Sequence, residues 1–476
     1  MLTELLVLSL VAVGGVSGAW LLGARNTWLA IPVGIGLVVL VRNLSFATLN
    51  LVNLRPFASV TFFVLLAGIA LLAAWRARVG LWRPISLSIG FVVASVLTTR
   101  WLGFLGTSHG DSLWILSFSH LIENNGSMEI LNGHTSIKRG FAYPLLLALG
   151  PNQQFLSALT PYLFAALACS AIWLTTTLLA KYDWRQVALI SGLVVFATFT
   201  SVLPLRSIYY INGHTMAGLG MMLAAGVTVL AIRDNSLSLQ NTLIGCVGIF
   251  TVSSSRAEGI ALAALIVLPL VASRFVARWQ IIALISSATV SLGVWLATYH
   301  SYIIHSTHLN WVIFDALLVG LGCLPALRWF DWLRHRLVPL ALISMPLVLI
   351  AAELYYAEGL AKGNRSLFAN LFLGQGFWGF GLIAILVLIA FFSARRWSKL
   401  TSEHQTLVLI TASLVLGSLI AKMLDGGQFG HPTLGRLGWS DSLNRMWIQS
   451  FGIFLVAAVV AMVQSIWQPK AIERSK

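Results

Sequence analysis

Long apolar runs separated by short polar segments recur along the whole chain. A helix needs about 20 apolar residues to cross a bilayer, and runs near that length occur about fifteen times. The pattern therefore predicts an all-α polytopic membrane protein, with a single transmembrane domain over residues 1–476. The predicted spans are 2–22, 28–41, 57–75, 85–98, 155–180, 186–204, 215–232, 239–253, 259–273, 279–298, 310–327, 338–352, 374–392, 406–421 and 447–467.

The longest interruption of this pattern before residue 350 is the segment 109–151. It contains three of the chain's 15 acidic residues, three of its 10 histidines and the adjacent cations Lys138 and Arg139. Acids and histidines are the residue types that move protons and bind metals. We therefore predict that residues 101–151 form a folded loop at the membrane surface, and that this loop carries the chemistry.

Two short helices are predicted within that loop. Trp114, Phe118 and Leu121 recur at helical spacing among polar positions, which is typical of an amphipathic helix at a membrane interface. Pro144 favours the first turn of a second helix, and Gly150 marks its end. The loop is therefore expected to consist of two interfacial helices joined by a turn-rich connection.

Composition supports the membrane assignment and excludes a large soluble domain. The chain is 58% hydrophobic and 9% charged, whereas a soluble domain carries about 25% charged residues. The three cysteines all lie inside predicted spans, so we expect neither a disulfide nor a thiolate metal site. The first apolar run contains Glu4, and the first basic residue, Arg25, follows it; we interpret the run as a retained span with its N-terminus outside.

The formal net charge of +15 is concentrated in short loops on one side of the predicted bundle. That side holds about 18 of the 30 basic residues and about five of the 15 acidic residues, which is the positive-inside pattern. The charge therefore indicates cytoplasmic loops rather than nucleic-acid binding, and it places residues 101–151 outside the cytoplasm. The basic residues of the predicted cytoplasmic side are Arg25, Arg76, Arg78, Arg83, Lys181, Arg185, Arg233, Arg274, Arg278, Arg328, Arg334, Arg336, Arg395, Arg396, Lys399, Lys470, Arg474 and Lys476.

The residues that suit catalysis lie mostly on the opposite, external side. Eight of the ten histidines are there, all but His335 and His404. The segments 353–373 and 423–446 are predicted to be further external loops, and the second of them ends with Arg445 just before the last span. Function is therefore expected on the external face.

Asp111 has two interpretations when it is considered alone. Asp is a favoured N-cap residue, and it is also a suitable general base at the mouth of a membrane cavity. Lys138 and Arg139 are either interfacial cations or phosphate ligands, and their position beside an acid in an external loop favours phosphate. Arg256 and Glu258, at the junction of two spans, either punctuate a helix hairpin or bind substrate.

The loop resembles the first external loop of the GT-C superfamily of membrane glycosyltransferases, such as protein O-mannosyltransferases and lipid A aminoarabinose transferases. The resemblance covers the architecture of most of the chain, while its specific motifs span about fifty residues. The segments that carry it are GDS at 110–112, YPLLLALG at 143–150 and SRAEG at 255–259.

The resemblance implies transfer of a sugar from a polyprenyl-phosphate donor to a hydroxyl acceptor (a glycan, lipid or protein), with inversion. Asp111 would then be the general base, and Lys138, Arg139 or Arg256 would stabilise the departing phosphate, with or without a divalent metal such as Mg²⁺ or Mn²⁺. The candidate residues for the remaining roles are Glu258 and Arg445 for substrate and Glu123, Glu129 and His134 for the metal.

Two other classes of function remain open at this point. A polysaccharide polymerase or ligase would also use lipid-linked glycans outside, and would work through the Arg445 segment. A lipid or solute transporter needs charged or broken helices near the bilayer midplane; apart from Asp315 the predicted spans contain almost no charge, so a transporter ranks third. Basic loops and the absence of cysteine pairs fit a bacterial inner membrane, with membrane lipids as partners and no nucleic acid.

Overall fold

A computed structural model of the chain describes 2–77, 80–102, 110–123, 140–149, 158–199, 202–209, 213–256, 258–305, 381–395, 397–428 and 442–467, with scattered residues between 316 and 373. The regular structure of these residues is helical, without a strand. The helices are α1 (Leu2–Leu21), α2 (Thr27–Leu51), α3 (Ala58–Arg76), α4 (Trp82–Leu102), α5 (Gly110–Glu123), α6 (Ala142–Leu147), α7 (Leu159–Leu178), α8 (Trp184–Phe199), α9 (Val202–Ser207), α10 (His214–Asp234), α11 (Leu239–Ser255), α12 (Gly259–Val271), α13 (Arg278–His305), α14 (Gly381–Arg395), α15 (Ser402–Gln428) and α16 (Ser442–Ile466).

Nine of the described helices are long and apolar enough to cross a membrane, as an integral membrane protein requires. The predicted spans up to residue 305, and the last three, each coincide with a described helix. The spans predicted at 310–327 and 338–352 lie largely outside the described residues. The all-α membrane architecture is thus supported, while the number of fifteen spans stays a prediction.

Helix α10 is the centre of the bundle. Its apolar window is 94% buried inside the protein, compared with 22% for the window that includes α3. Helices α7, α11, α12, α15 and α16 pack around it. Gly220 of α10 faces Gly248 of α11, and the absence of two side chains there lets the backbones approach closely.

Polar contacts between helices gather at the two ends of the bundle. At one end, the start of α1 contacts the last turn of α4 and the start of α7. At the same end, the starts of α10, α12 and α16 are linked to one another and to the end of α11. At the other, the starts of α11, α13 and α15 meet the segment after α1 and the last turn of α16. This is the pattern expected when successive helices run in opposite directions. We call the first the loop end, because α6 lies there, and the second the basic end, because the predicted cytoplasmic cations lie there.

Several helix bounds differ from the predicted ones. Helix α2 continues past the predicted end at residue 41, so Arg42 lies inside a 25-residue helix and is buried. Helix α2 therefore contains a charge that the predicted span did not include, and Asp315 itself lies outside the described residues. Helices α15 and α16 both extend into the predicted loop 423–446. Apolar runs stop at the first polar residue, whereas a helix backbone continues wherever its polar side chains find space inside the protein.

Candidate functional site

Helix α5 forms where an amphipathic helix was predicted. Ile115, Phe118 and Ile122 are buried at helical spacing, while Ser117 and His120 are exposed. The buried face of α5 packs on α6. The polar face of this helix is consequently left toward the outside of the bundle.

Asp111 is the second residue of α5, so it lies in the first turn rather than ahead of the helix as an N-cap would. The positive end of the helix dipole favours a carboxylate at that position. Its side chain lies outside the described residues, as do the side chain of Glu123 and the whole of Glu129 and His134. The assignment of these residues to catalysis or metal binding therefore remains a prediction.

Helix α6 is buried instead of lying along an interface. Every residue from Phe141 to Leu149 is at most 9% exposed, and Pro144 occupies the first turn as predicted. The physical reason is that this segment is apolar on all sides, so it has no polar face to turn toward water. A helix of this kind is stabilised inside the protein rather than at its surface.

Three contacts hold α6 in place. The Nε of Arg42 on α2 donates to the carbonyl of Leu145 at 3.0 Å. The hydroxyl of Tyr143 hydrogen-bonds that of Thr160 on α7, and burial raises the pKa of Tyr143 above its ordinary range, so this phenol stays protonated. The ring of Phe141 packs edge-on against Trp295 of α13, with ring centroids 5.3 Å apart.

Gly140 docks the start of this segment onto the end of α11. Its φ is +71°, and a Cβ built there would lie 2.3 Å from the carbonyl carbon and oxygen of Ser255. A side chain would therefore be excluded both by the left-handed backbone and by the neighbouring carbonyl. In the sequence, Lys138 and Arg139 directly precede Gly140, and Arg256 directly follows Ser255.

A half-buried polar network extends from Arg256 into the bundle. The Nε of Arg256 donates to Glu258 Oε1 at 3.0 Å, and the Nε2 of Gln449 donates to the same oxygen at 3.2 Å. Gln449 Nε2 also lies 2.8 Å from His214 Nδ1. The side chains of Arg256 and Glu258 are 13% and 17% exposed, whereas Gln449 and His214 are buried. The network thus joins the two predicted substrate residues to α10 and α16.

This arrangement can orient a cation toward an anionic ligand. Because Glu258 holds the Nε edge of Arg256, the guanidinium has a fixed direction, and its remaining N–H donors belong to Nη1 and Nη2. A planar guanidinium of fixed direction is the usual ligand for phosphate and carboxylate oxygens. Arg445, the other predicted substrate residue, lies one turn before Gln449 on α16, and its side chain is outside the described residues.

A second ion pair holds the two ends of the predicted loop together. Arg100, near the end of α4, lies 3.3 Å from the Glu4 carboxylate, which is buried, and Glu4 also accepts from the backbone N–H of Ala158 at 3.2 Å. Arg100 precedes the loop and Ala158 follows it. Glu4 therefore fixes where the loop leaves the bundle and where it returns.

Four side chains of these networks were not predicted from the sequence as site residues, namely Glu4, Arg100, His214 and Gln449. Glu4 was considered only for its charge near the N-terminus. One signal in the sequence could have indicated them, namely a polar residue within an apolar run. Such residues are costly in a membrane and usually have a partner or a function. Their partners are far apart in the chain, so the sequence pattern does not indicate them.

Among the described side chains, no group of three or more His, Cys, Asp or Glu residues could hold a metal ion. The predicted ligands Glu123, Glu129 and His134 are not among those side chains, so this finding does not bear on them. Compared with protein-family models, with curated proteins and with solved structures, the chain matches none. Functional inference therefore rests on the site itself and on the resemblance of the loop.

Proposed function

We propose that this chain is a membrane glycosyltransferase of about fifteen spans with a GT-C-like fold. It moves a sugar from a polyprenyl-phosphate donor to an acceptor hydroxyl on the extracytoplasmic face of a bacterial inner membrane. The observation that carries the proposal is the docking of Gly140 against Ser255. It joins the loop that carries Asp111, Lys138 and Arg139 to the chain segment that carries Arg256 and Glu258.

The supply of donor supports a lipid-linked sugar. Nucleotide sugars are made in the cytoplasm and do not reach an external site, whereas a polyprenyl-linked sugar can be flipped across the membrane. Such a donor presents its phosphate at the depth where helices end. The loop end of the bundle, with a buried α6 and a half-buried Arg256, offers cations at that depth.

The proposed roles divide between proton transfer and charge stabilisation. Asp111 removes the proton from the acceptor hydroxyl as that oxygen attacks the sugar's anomeric carbon and the bond to phosphate breaks. Arg256, with Lys138 and Arg139, stabilises the departing phosphate. Glu258 and Gln449 keep Arg256 oriented, and Arg445 contacts the glycan. A divalent metal held by Glu123, Glu129 and His134 would add positive charge, but none of these steps depends on it.

The test uses the full-length protein in lipid nanodiscs with a panel of synthetic polyprenyl-phosphate hexoses and pentoses. Release of polyprenyl phosphate is measured in the presence of a hydroxyl acceptor. Loss of a general base typically costs 10²–10⁴-fold in rate, so we expect Asp111→Asn to fall by about 100-fold or more. Asp234→Asn is the matched control, because Asp234 is an exposed acid at the basic end, paired with Arg233.

Two results would contradict the proposal in different ways. Near-normal turnover by Asp111→Asn would remove Asp111 as the base while leaving glycosyl transfer in place. A protein that joins whole lipid-linked glycans, and that loses this activity in Arg445→Ala but not in Asp111→Asn, would instead be a polymerase or ligase.

A further inference from the structure

Arg42 is a buried cation that the proposed reaction does not use. It lies on α2, about two and a half turns before the end of the helix, and its residue is 1% exposed. Its level in the bundle follows from its contact with α6. Since Leu145 accepts from Arg42 and Tyr143 binds Thr160 in the first turn of α7, Arg42 lies close to the level at which α7 begins, although it is well inside α2.

The described contacts use few of the N–H donors of this guanidinium and do not neutralise its charge. Nε donates to the Leu145 carbonyl at 3.0 Å, and Cζ lies 5.8 Å from the ring centroid of Phe62 on α3. Nη1 is buried and has no hydrogen-bond partner, and no carboxylate forms an ion pair with Arg42 among the described residues. One neutral carbonyl and one distant ring do not balance a full positive charge.

Other buried or half-buried charges at the loop end have a partner of opposite charge. Glu4 has the guanidinium of Arg100 and a backbone N–H, and Arg256 has Glu258. Removing a charge from water without a partner costs several kcal/mol. Among the described residues, Arg42 thus differs from the other charges of the loop end in having no counter-charge, and the geometry leaves room for an anion as its partner.

We propose that Arg42 is the binding site for a phosphate oxyanion at the junction of α2, α3 and α6. Guanidinium N–H groups match the oxygens of phosphate in spacing and plane, and Nη1 carries two donors for this contact. Close to the level at which α7 begins, the phosphate comes either from a lipid headgroup or from inorganic phosphate. This site is separate from Arg256 and does not depend on the glycosyl-transfer proposal.

The first measurement is native mass spectrometry of the delipidated full-length protein in maltoside micelles with added phosphatidylglycerol. We expect the wild type to retain one lipid, and its occupancy to fall at least tenfold in Arg42→Met. Arg25→Met is the matched control and keeps wild-type occupancy, because Arg25 stacks on Trp20 at 3.9 Å at the basic end. Equal occupancy in the wild type and Arg42→Met, or equal loss in both variants, would overturn the proposal.

The second measurement distinguishes the source of the phosphate by thermal unfolding. Inorganic phosphate replaces chloride at constant ionic strength, or phosphatidylglycerol is added. Stabilisation by both means that free phosphate is sufficient, and stabilisation by the lipid alone means that a lipid headgroup is the ligand. Stabilisation of the wild type by neither probe would exclude the site.

The change in unfolding temperature caused by Arg42→Met distinguishes anion binding from a purely structural role. Without either probe, the variant should unfold at the same or a higher temperature than the wild type, because an unbalanced buried charge is gone. With the probe, the order should reverse. A variant that is less stable under both conditions by the same amount would show that Arg42 only anchors α6. If Arg42→Met does not fold, Arg42→Lys retains the charge without the planar fork, and it should bind the lipid more weakly than the wild type.

Discussion

Helix α16 carries a glutamine–histidine pair at each of its two ends. At the loop end, Gln449 lies 2.8 Å from His214 Nδ1, and at the basic end, Gln464 lies 2.9 Å from His404 Nδ1. The two pairs have the same chemistry, but their surroundings differ. Gln449 also donates to Glu258, which holds Arg256, whereas the described contact of Gln464 joins α16 to α15 and no ion pair is attached to it. The same amide therefore joins helices at one end and supports charged side chains at the other.

Other buried polar contacts differ between the two ends in the same way, since they are neutral at the basic end and include charged groups at the loop end. At the basic end, Gln240 and Gln280 donate to backbone carbonyls of neighbouring segments, which are neutral contacts that fix helix positions. At the loop end, the buried or half-buried groups include Glu4, Arg42 and Arg256. Ionised groups at such depth are costly, so their concentration at one end supports the proposal that the functional site lies there.

The largest expected effect comes from removing the docking of the loop. Gly140→Ala places a Cβ against the Ser255 carbonyl at a positive φ, and together these should cost about 3 kcal/mol of stability or detach the loop. Gly80→Ala is the control at the basic end, because Gly80 also has a positive φ of +99° but nothing within 4 Å. It should cost about 1 kcal/mol, for the backbone alone. Unfolding in detergent measures both, and equal losses would contradict the docking.

A smaller effect is expected from the ion pair that fixes the two ends of the loop. Glu4→Gln removes the carboxylate that Arg100 contacts and should cost about 2 kcal/mol, since Glu4 is buried although Arg100 is partly exposed. Asp234→Asn removes the exposed Arg233–Asp234 pair at the basic end and should cost less than about 0.5 kcal/mol. Thermal unfolding compares the two variants. An equal loss of stability in the two variants would mean that the buried ion pair contributes no more than the exposed one.

The smallest effect tests the two glutamines directly. Gln464→Leu removes one hydrogen bond to histidine and should cost about 1 kcal/mol of stability, whereas Gln449→Leu also removes the bond to Glu258 and should cost about 1.5 kcal/mol. If the loop end is the functional one, sugar transfer should fall in Gln449→Leu and stay normal in Gln464→Leu. Measuring turnover and unfolding on the same preparations separates these roles. Equal turnover in both variants would remove the functional distinction between the two ends.

Run length and local periodicity were sufficient for the parts of the fold that depend on neighbouring residues. They predicted most of the described helices, the amphipathic α5 and the position of Pro144 in α6, but not α9 as a separate helix. They failed where a polar residue sits inside a helix, as Arg42 does in α2, because an apolar run ends at a charge while the helix does not. They also failed for the position of α6 inside the bundle, where the Leu145 carbonyl accepts from Arg42, a residue from a distant part of the chain.

The candidate site shows the same limit. The sequence indicated Arg256 and Glu258 because they are charged residues between two apolar runs. Gln449 lies 191 positions from Glu258 and 235 positions from His214, so no local pattern relates them. Long-range contacts of this kind depend on how helices pack together, and the spacing of apolar residues within one helix does not indicate which helices it contacts.

The enclosure of α10 has a consequence for how the protein is assembled. Of the helices that contact α10, α2 and α7 precede it in the chain, while α11, α12, α15 and α16 are synthesised later. A newly made α10 therefore meets lipid, or a helper protein, on most of its surface until the last helix arrives. Its side chains must therefore be apolar enough to face lipid at first, and must fit the neighbouring helices afterwards. A chain that stops before α16 should expose to quality-control proteases a surface of α10 that the complete chain buries.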